Sequence, residues 1–138
     1  MKYILLIVLL VFISCQTKKE LVLKKLQGDW AIDEISYKNQ NYKERLYMNT
    51  LFIEKDGIIS FPDTFDFDEE STIYDCNLVN NQVFLIIKCK NEVFSGDYNV
   101  KFIKNEEKKL LGIELISNNT KIVAYKFLQN FEVDGKTW

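Results

Sequence analysis

Beyond Leu26 the chain repeatedly alternates apolar and polar residues with a period of two, the pattern of strands that bury one face. The cleanest stretch is Phe94 to Phe102, where Phe94, Gly96, Tyr98, Val100 and Phe102 alternate with Ser95, Asp97, Asn99 and Lys101. Leu51-Phe52-Ile53-Glu54 and Ile58-Ile59-Ser60-Phe61 flank Lys55-Asp56-Gly57 and predict a hairpin. A two-residue Asp-Gly loop would pair Ile53 with Ser60. A three-residue loop with Gly57 at positive φ instead puts Leu51, Ile53, Ile59 and Phe61 on one face. A buried face sets register, so the three-residue loop is expected.

The same reading continues along the chain. A strand runs from about Trp30 to Tyr37, and Asn39-Gln40-Asn41 marks a loop after it. Lys43-Glu44-Arg45 is a turn or helical fragment. Pro62 ends the strand containing Phe61. Residues 63–70 then form an acidic loop with two phenylalanines, lacking the spacing of a calcium loop. Ser71 to Leu78 and Gln82 to Cys89 predict a hairpin about Asn80-Asn81, which groups Tyr74, Cys76 and Leu78 with Val83, Leu85, Ile87 and Cys89. In that register Cys76 faces Leu85 and Cys89 faces Thr72, leaving the sulfurs about 13 Å apart at ordinary strand rise. Two free thiols are expected, since a disulfide needs a much closer approach. Leu111, Ile113 and Leu115 pair across Asn118-Asn119 with Ile122 and Ala124, with Glu114 and Lys121 outside. Val123, Tyr125 and Phe127 fit that scheme less well. Asp134-Gly135 marks a turn in the tail.

Eight short strands in turn-linked succession, with no helix long enough for a crossover, predict an all-β fold: an antiparallel up-and-down barrel or a sandwich. Leu21, Val22, Leu23 and Leu26, with Lys24-Lys25 between them, predict a short helical turn that closes one end. Charged outward positions such as Asp97, Lys101, Glu114 and Lys121 argue against strands facing lipid. The plentiful Phe and Tyr, 10 and 7 residues, supply the core.

The N-terminus changes the picture of where the chain resides. Lys2 precedes an unbroken apolar run from Ile4 to Ile13, too short to span a bilayer, and Ser14-Cys15 follows directly. This arrangement resembles a bacterial lipoprotein signal with Phe12-Ile13-Ser14-Cys15 as its lipobox, although Phe12 stands where Leu is usual. The resemblance implies cleavage before Cys15 and lipidation of its thiol. The division that follows is a signal peptide at 1–14, a lipidated cysteine and tether at 15–23, and a barrel domain at 24–138. The tether lacks the Asp that retains many lipoproteins in the inner membrane. An outer-membrane location in the cell envelope is therefore expected over an inner one.

Charge and chemistry narrow the function classes. The chain carries 18 basic and 20 acidic residues and no histidine. No basic cluster points to nucleic acid. Without histidine, Ser-His-Asp and Cys-His mechanisms are excluded, as is the commonest zinc ligand. Paired-carboxylate or carboxylate-metal chemistry stays open in principle, but no residue constellation supports it and no cofactor motif is present, so an enzyme is not expected.

Leu26-Gln27-Gly28-Asp29-Trp30 opens the first strand, and a Gly-x-Trp in this place, together with Phe94-x-Gly96-x-Tyr98, resembles the lipocalin-like lipoproteins of Bacteroidota. The resemblance spans nearly the whole mature chain. It implies an eight-stranded lipocalin-like barrel with Gly28 and Trp30 at its closed end. There is no clear Thr-Asp-Tyr motif, only Gly96-Asp97-Tyr98, and no late-strand Arg to cap the tryptophan, for which Lys126 is a substitute. The function expected is binding of a small hydrophobic molecule inside the barrel, against Tyr74, Leu85, Phe94, Tyr98, Val100 and Phe102. The alternative is an envelope protein-interaction module, of inhibitor or immunity type, whose barrel is filled by its own side chains.

Overall fold

A computed structural model describes residues 18–62 and 72–127, together with the backbone of residues 132–133 and 136–137. Helix α1 (18–26) is followed by strands β1 (Gly28–Tyr37), β2 (Gln40–Asn41), β3 (Thr50–Ile53) and β4 (Ile59–Ser60). After these come β5 (Ile73–Val79), β6 (Gln82–Lys88), β7 (Gly96–Asn105), β8 (Leu110–Ile116) and β9 (Thr120–Lys126). Separately, β10 (Glu132–Val133) pairs antiparallel with β11 (Lys136–Thr137), and the turn expected at Asp134-Gly135 lies outside the described residues.

Each strand from β3 to β9 pairs antiparallel with its neighbour in sequence, apart from the β4–β5 step. The last of them, β9, returns to β1, with Trp30 opposite Lys126 and Tyr37 opposite Thr120. β3 lies on the other side of β1, and β2 is a short flap off its end. Among the described residues the β4–β5 seam holds a single bridge, Ile58 with Ile73. It is reinforced by Ile59 N–H donating to the Thr72 carbonyl at 3.0 Å and Tyr74 N–H to the Gly57 carbonyl at 2.8 Å. The Tyr74 hydroxyl adds a bond across the same seam, to the Glu54 carbonyl at 2.8 Å. The result is the expected eight-stranded antiparallel up-and-down barrel, nearly closed.

Local chemistry explains the strands. Gly57 has φ of 77°, and Ile53 pairs with Ile59 across the three-residue loop. Leu51, Ile53, Ile59 and Phe61 are consequently all buried. Asn80 and Asn81 both take positive φ, the geometry a two-residue hairpin turn requires, and Cys76 lies opposite Leu85 as expected. Cys76 and Cys89 are free, with the Thr72 hydroxyl 3.5 Å from the Cys89 sulfur.

Several elements depart from the sequence reading. The strand expected to open at Phe94 begins at Gly96. Phe94 sits in a turn, where its N–H and that of Ser95 both donate to the Asn91 carbonyl. Gln40-Asn41 is not open loop, because Lys38 and Asn39 at positive φ fold it back onto Ser36 and Tyr37. In β1 the register against β9 slips between Ile32 and Glu34. Asp33 and Glu34 thereby both face outward while Ile32 and Ile35 both face the core. The boundary drawn at residue 24 falls within α1, which packs Val22 and Leu23 onto the core and buries Leu26 completely. Cys15, the rest of the leader and the acidic loop at 63–70 lie outside the described residues.

Candidate functional site

Alternation of strand direction sorts the connections onto two ends. α1, the β3–β4, β5–β6 and β7–β8 turns and the exit of β9 share one end. The 38–49, β6–β7 and β8–β9 connections share the other.

Trp30 closes the helix end. Gly28, at φ of 129°, lets the chain swing from helix to strand within two residues of Leu26. That swing places the Trp30 indole beneath the helix, with Nε1–H donating to the Leu26 carbonyl at 2.8 Å. The ring is fully buried. From the far end of the sequence Lys126 arrives opposite Trp30, its ammonium 5.2 Å from the ring and donating to the Lys25 carbonyl at 3.1 Å. The half-buried Lys126 therefore caps both the aromatic face and the helix terminus. Burial lowers its pKa from the usual lysine value.

The opposite end is closed by aromatic rings. Phe94 and Phe61 stack at 4.3 Å, Tyr42 meets Phe94 edge-on at 6.3 Å, and Tyr37 meets Tyr42 in the same way at 6.4 Å. Polar bonds tie the turn beneath them. The Tyr98 hydroxyl donates to the Phe94 carbonyl at 2.9 Å, and the buried Thr120 hydroxyl donates to the Val93 carbonyl. Burial pushes the Tyr98 pKa up to about 12, against the opposing influence of the Thr120 and Ser117 hydroxyls.

Between the ends lies the wall expected to meet a ligand. Leu85, Phe94 and Tyr98 have no exposed surface, Val100 has 5% and Tyr74 7%. A surface with no accessible area touches no space large enough for a water molecule, so these side chains pack against one another. Phe102 is the partly exposed member, and the Lys25 ammonium lies 4.9 Å above its ring. Burial also raises the pKa of Tyr74 and of the Cys76 thiol, the latter opposed by nearby Lys19. The fold thus brings the six residues into one core cluster with Trp30. Sequence reasoning did not place Phe61 and Thr120 in this arrangement. Alternation puts Phe61 on a buried face, but it also carries the β7 pattern back through Phe94 and so hides the turn that seats it.

Among the described residues, open clefts lie on the outer surface. One, of about 300 Å³, is bordered by Asp33, Glu34, Ser36, Asn41, Lys43 and Lys121, where Lys43 donates to the carbonyl of the outturned Asp33 at 2.7 Å. Another, of about 250 Å³, lies along the β4–β5 seam. Among the described residues no three His, Cys, Asp or Glu side chains gather as a metal site would require. Compared with protein-family models, curated proteins and solved structures, the chain matches none.

Proposed function

We propose that this chain is a lipid-anchored envelope protein whose barrel is a filled, rigid scaffold, acting on a partner protein through its outer surface and end loops. The observation that carries the reading is the absence of any accessible surface on Leu85, Phe94 and Tyr98, midway along the interior wall and at its ring-capped end. A ligand in the barrel would have to displace those side chains, and emptying a packed interior is costly. Trp30 with Lys126 at one end, and Phe94 with Phe61 at the other, leave the loops as the places where chemistry meets solvent.

Anchorage rests on the Ser14-Cys15 junction after the apolar run, with an outer-membrane location inferred from the residues that follow. The lipocalin-like resemblance stays compatible with this reading, since a small eight-stranded barrel holds either side chains or one small ligand.

Titration with a hydrophobic fluorescent probe separates the two functions. The folded protein is expected to show no saturable uptake. One-site saturation, reversed by long-chain lipids from the envelope and lost in Val100→Glu but kept in Asp97→Lys, would instead establish a hydrophobic-ligand carrier. For the interaction reading, pull-down from envelope fractions should recover a partner whose capture depends on end-loop residues such as Tyr47, which is 66% exposed.

A further inference from the structure

Helix α1 presents two unlike faces. Val22, Leu23 and Leu26 turn inward to seal the barrel. The opposite face centres on Leu21, 58% exposed, with exposed lysines three residues before it and three and four residues after it: Lys18, Lys24 and Lys25. On a helix those spacings surround the leucine with ammonium groups. The same end of the barrel carries Lys108 and Lys109 in the β7–β8 turn, both exposed. At this end Glu20, Glu106 and Glu107, and Glu54 and Asp56 beside Lys55 in the β3–β4 turn, offset part of this charge, but none stands three or four residues from Leu21.

Where the chain comes from decides what this face meets. Cys15 precedes the helix by three residues, which span about 11 Å at most when extended. A lipid on Cys15 would hold α1 within that distance of the bilayer and turn the ring-capped end away from it. We propose that the outer face of α1, with Leu21 inserted among the lipid headgroups and Lys18 and Lys24 on anionic phosphates, docks flat on the membrane. The barrel thereby stands with its helix end down. The proposal rests on the lipid-anchor reading. Charge complementarity supports it, because each lysine close to an anionic surface raises partitioning about fivefold. The lysine stems lie along the interface while their ammonium groups reach the phosphates.

The test uses the full protein, lipidated by its own processing machinery and reconstituted into vesicles of phosphatidylcholine alone or with one-third phosphatidylglycerol. Lysines are labelled with an amine-reactive reagent and quantified by mass spectrometry. Lys24, Lys25 and Lys108 should react several-fold more slowly on the phosphatidylglycerol vesicles, while Lys38 and Lys88, far from α1, should react equally on both. The triple variant Lys18→Gln/Leu21→Gln/Lys24→Gln alters only exposed positions and should abolish the difference at Lys25 and Lys108. Equal rates at Lys24, Lys25 and Lys108 on the two kinds of vesicle, in the lipidated wild type, would overturn the docking proposal and leave the anchor intact. An N-terminal peptide lacking the lipid mass would overturn the anchor and the docking with it.

Discussion

Trp30 shows how one residue is held by parts of the chain that are remote from one another. Its indole N–H is satisfied by α1, its face by Lys126, and its bulk fills the helix end of the barrel. Truncating a buried tryptophan costs about 3–5 kcal/mol, against the ~5–15 kcal/mol of a whole domain. Trp30→Ala should therefore unfold at far lower denaturant than wild type or fail to accumulate. A midpoint close to wild type would remove the closed-end role. Tyr98 gives a pH signature. Its folded pKa lies near 12, above the ordinary tyrosine value of 10.0, so the folded state holds the proton more tightly. That contribution is complete below pH 10 and is lost as pH rises towards 12. Stability should fall over this window, and Tyr98→Phe should make the decline shallower. At neutral pH the same variant should cost about 1–3 kcal/mol, because the Phe94 carbonyl loses its buried donor. Identical alkaline profiles for the two proteins would rule this out.

At the scale of elements, the hairpins are governed by a few backbone positions. Gly57 closes the β3–β4 loop in the left-handed region, and an added Cβ would come within 3.2 Å of the Tyr74 carbonyl across the seam. Gly57→Ala therefore meets strain twice, in its own turn and at the thinnest joint of the barrel. A loss of at least about 1 kcal/mol is expected, read from the denaturation midpoint. Local amide exchange should accelerate first at Ile59 and Tyr74, whose N–H groups bond across that seam. Exchange rising uniformly over all strands would show that the seam is no weaker than the rest. Gly112 in β8 is constrained by packing. A Cβ there would approach Ile103 Cγ1 at 2.6 Å and the Tyr125 ring at 2.8 Å, so those two side chains close over the bare backbone. Tyr125 fitted the sequence pattern poorly because it faces outward, where it covers this glycine and not the core.

For the molecule as a whole, the prediction concerns its thiols. Cys76 is buried within the core and burial raises its pKa, both of which suppress the reactive thiolate. With Cys15 replaced, the unfolded, unreduced protein should titrate two thiols. In the folded state Cys76 should react only as fast as the barrel opens, well behind the half-buried Cys89. No titratable thiol in the unfolded monomer would mean that the strands pair in a different register. Both cysteines belong to one hairpin, but their exposure is set by the entire barrel closing around them.

Hairpins, turns and buried faces were legible in the sequence because each depends on residues close together in the chain. A period of two marks a face, Gly57 and Asn80-Asn81 supply positive φ, and the buried face then sets register. The eight-strand count and the register of Cys76 against Leu85 follow from these local rules, as the pairing bears out. Tertiary structure alone decided the features that join distant segments. The closure of β9 on β1 brings Lys126 over Trp30, the outturn of Asp33 keeps both Ile32 and Ile35 in the core, and Phe94 leaves its strand to stack on Phe61. Alternation states which face a side chain is on, but not what stands opposite it across the barrel. Alternation places Tyr98 and Leu85 on the inner face, and the closing of the opposing strands leaves neither with exposed surface.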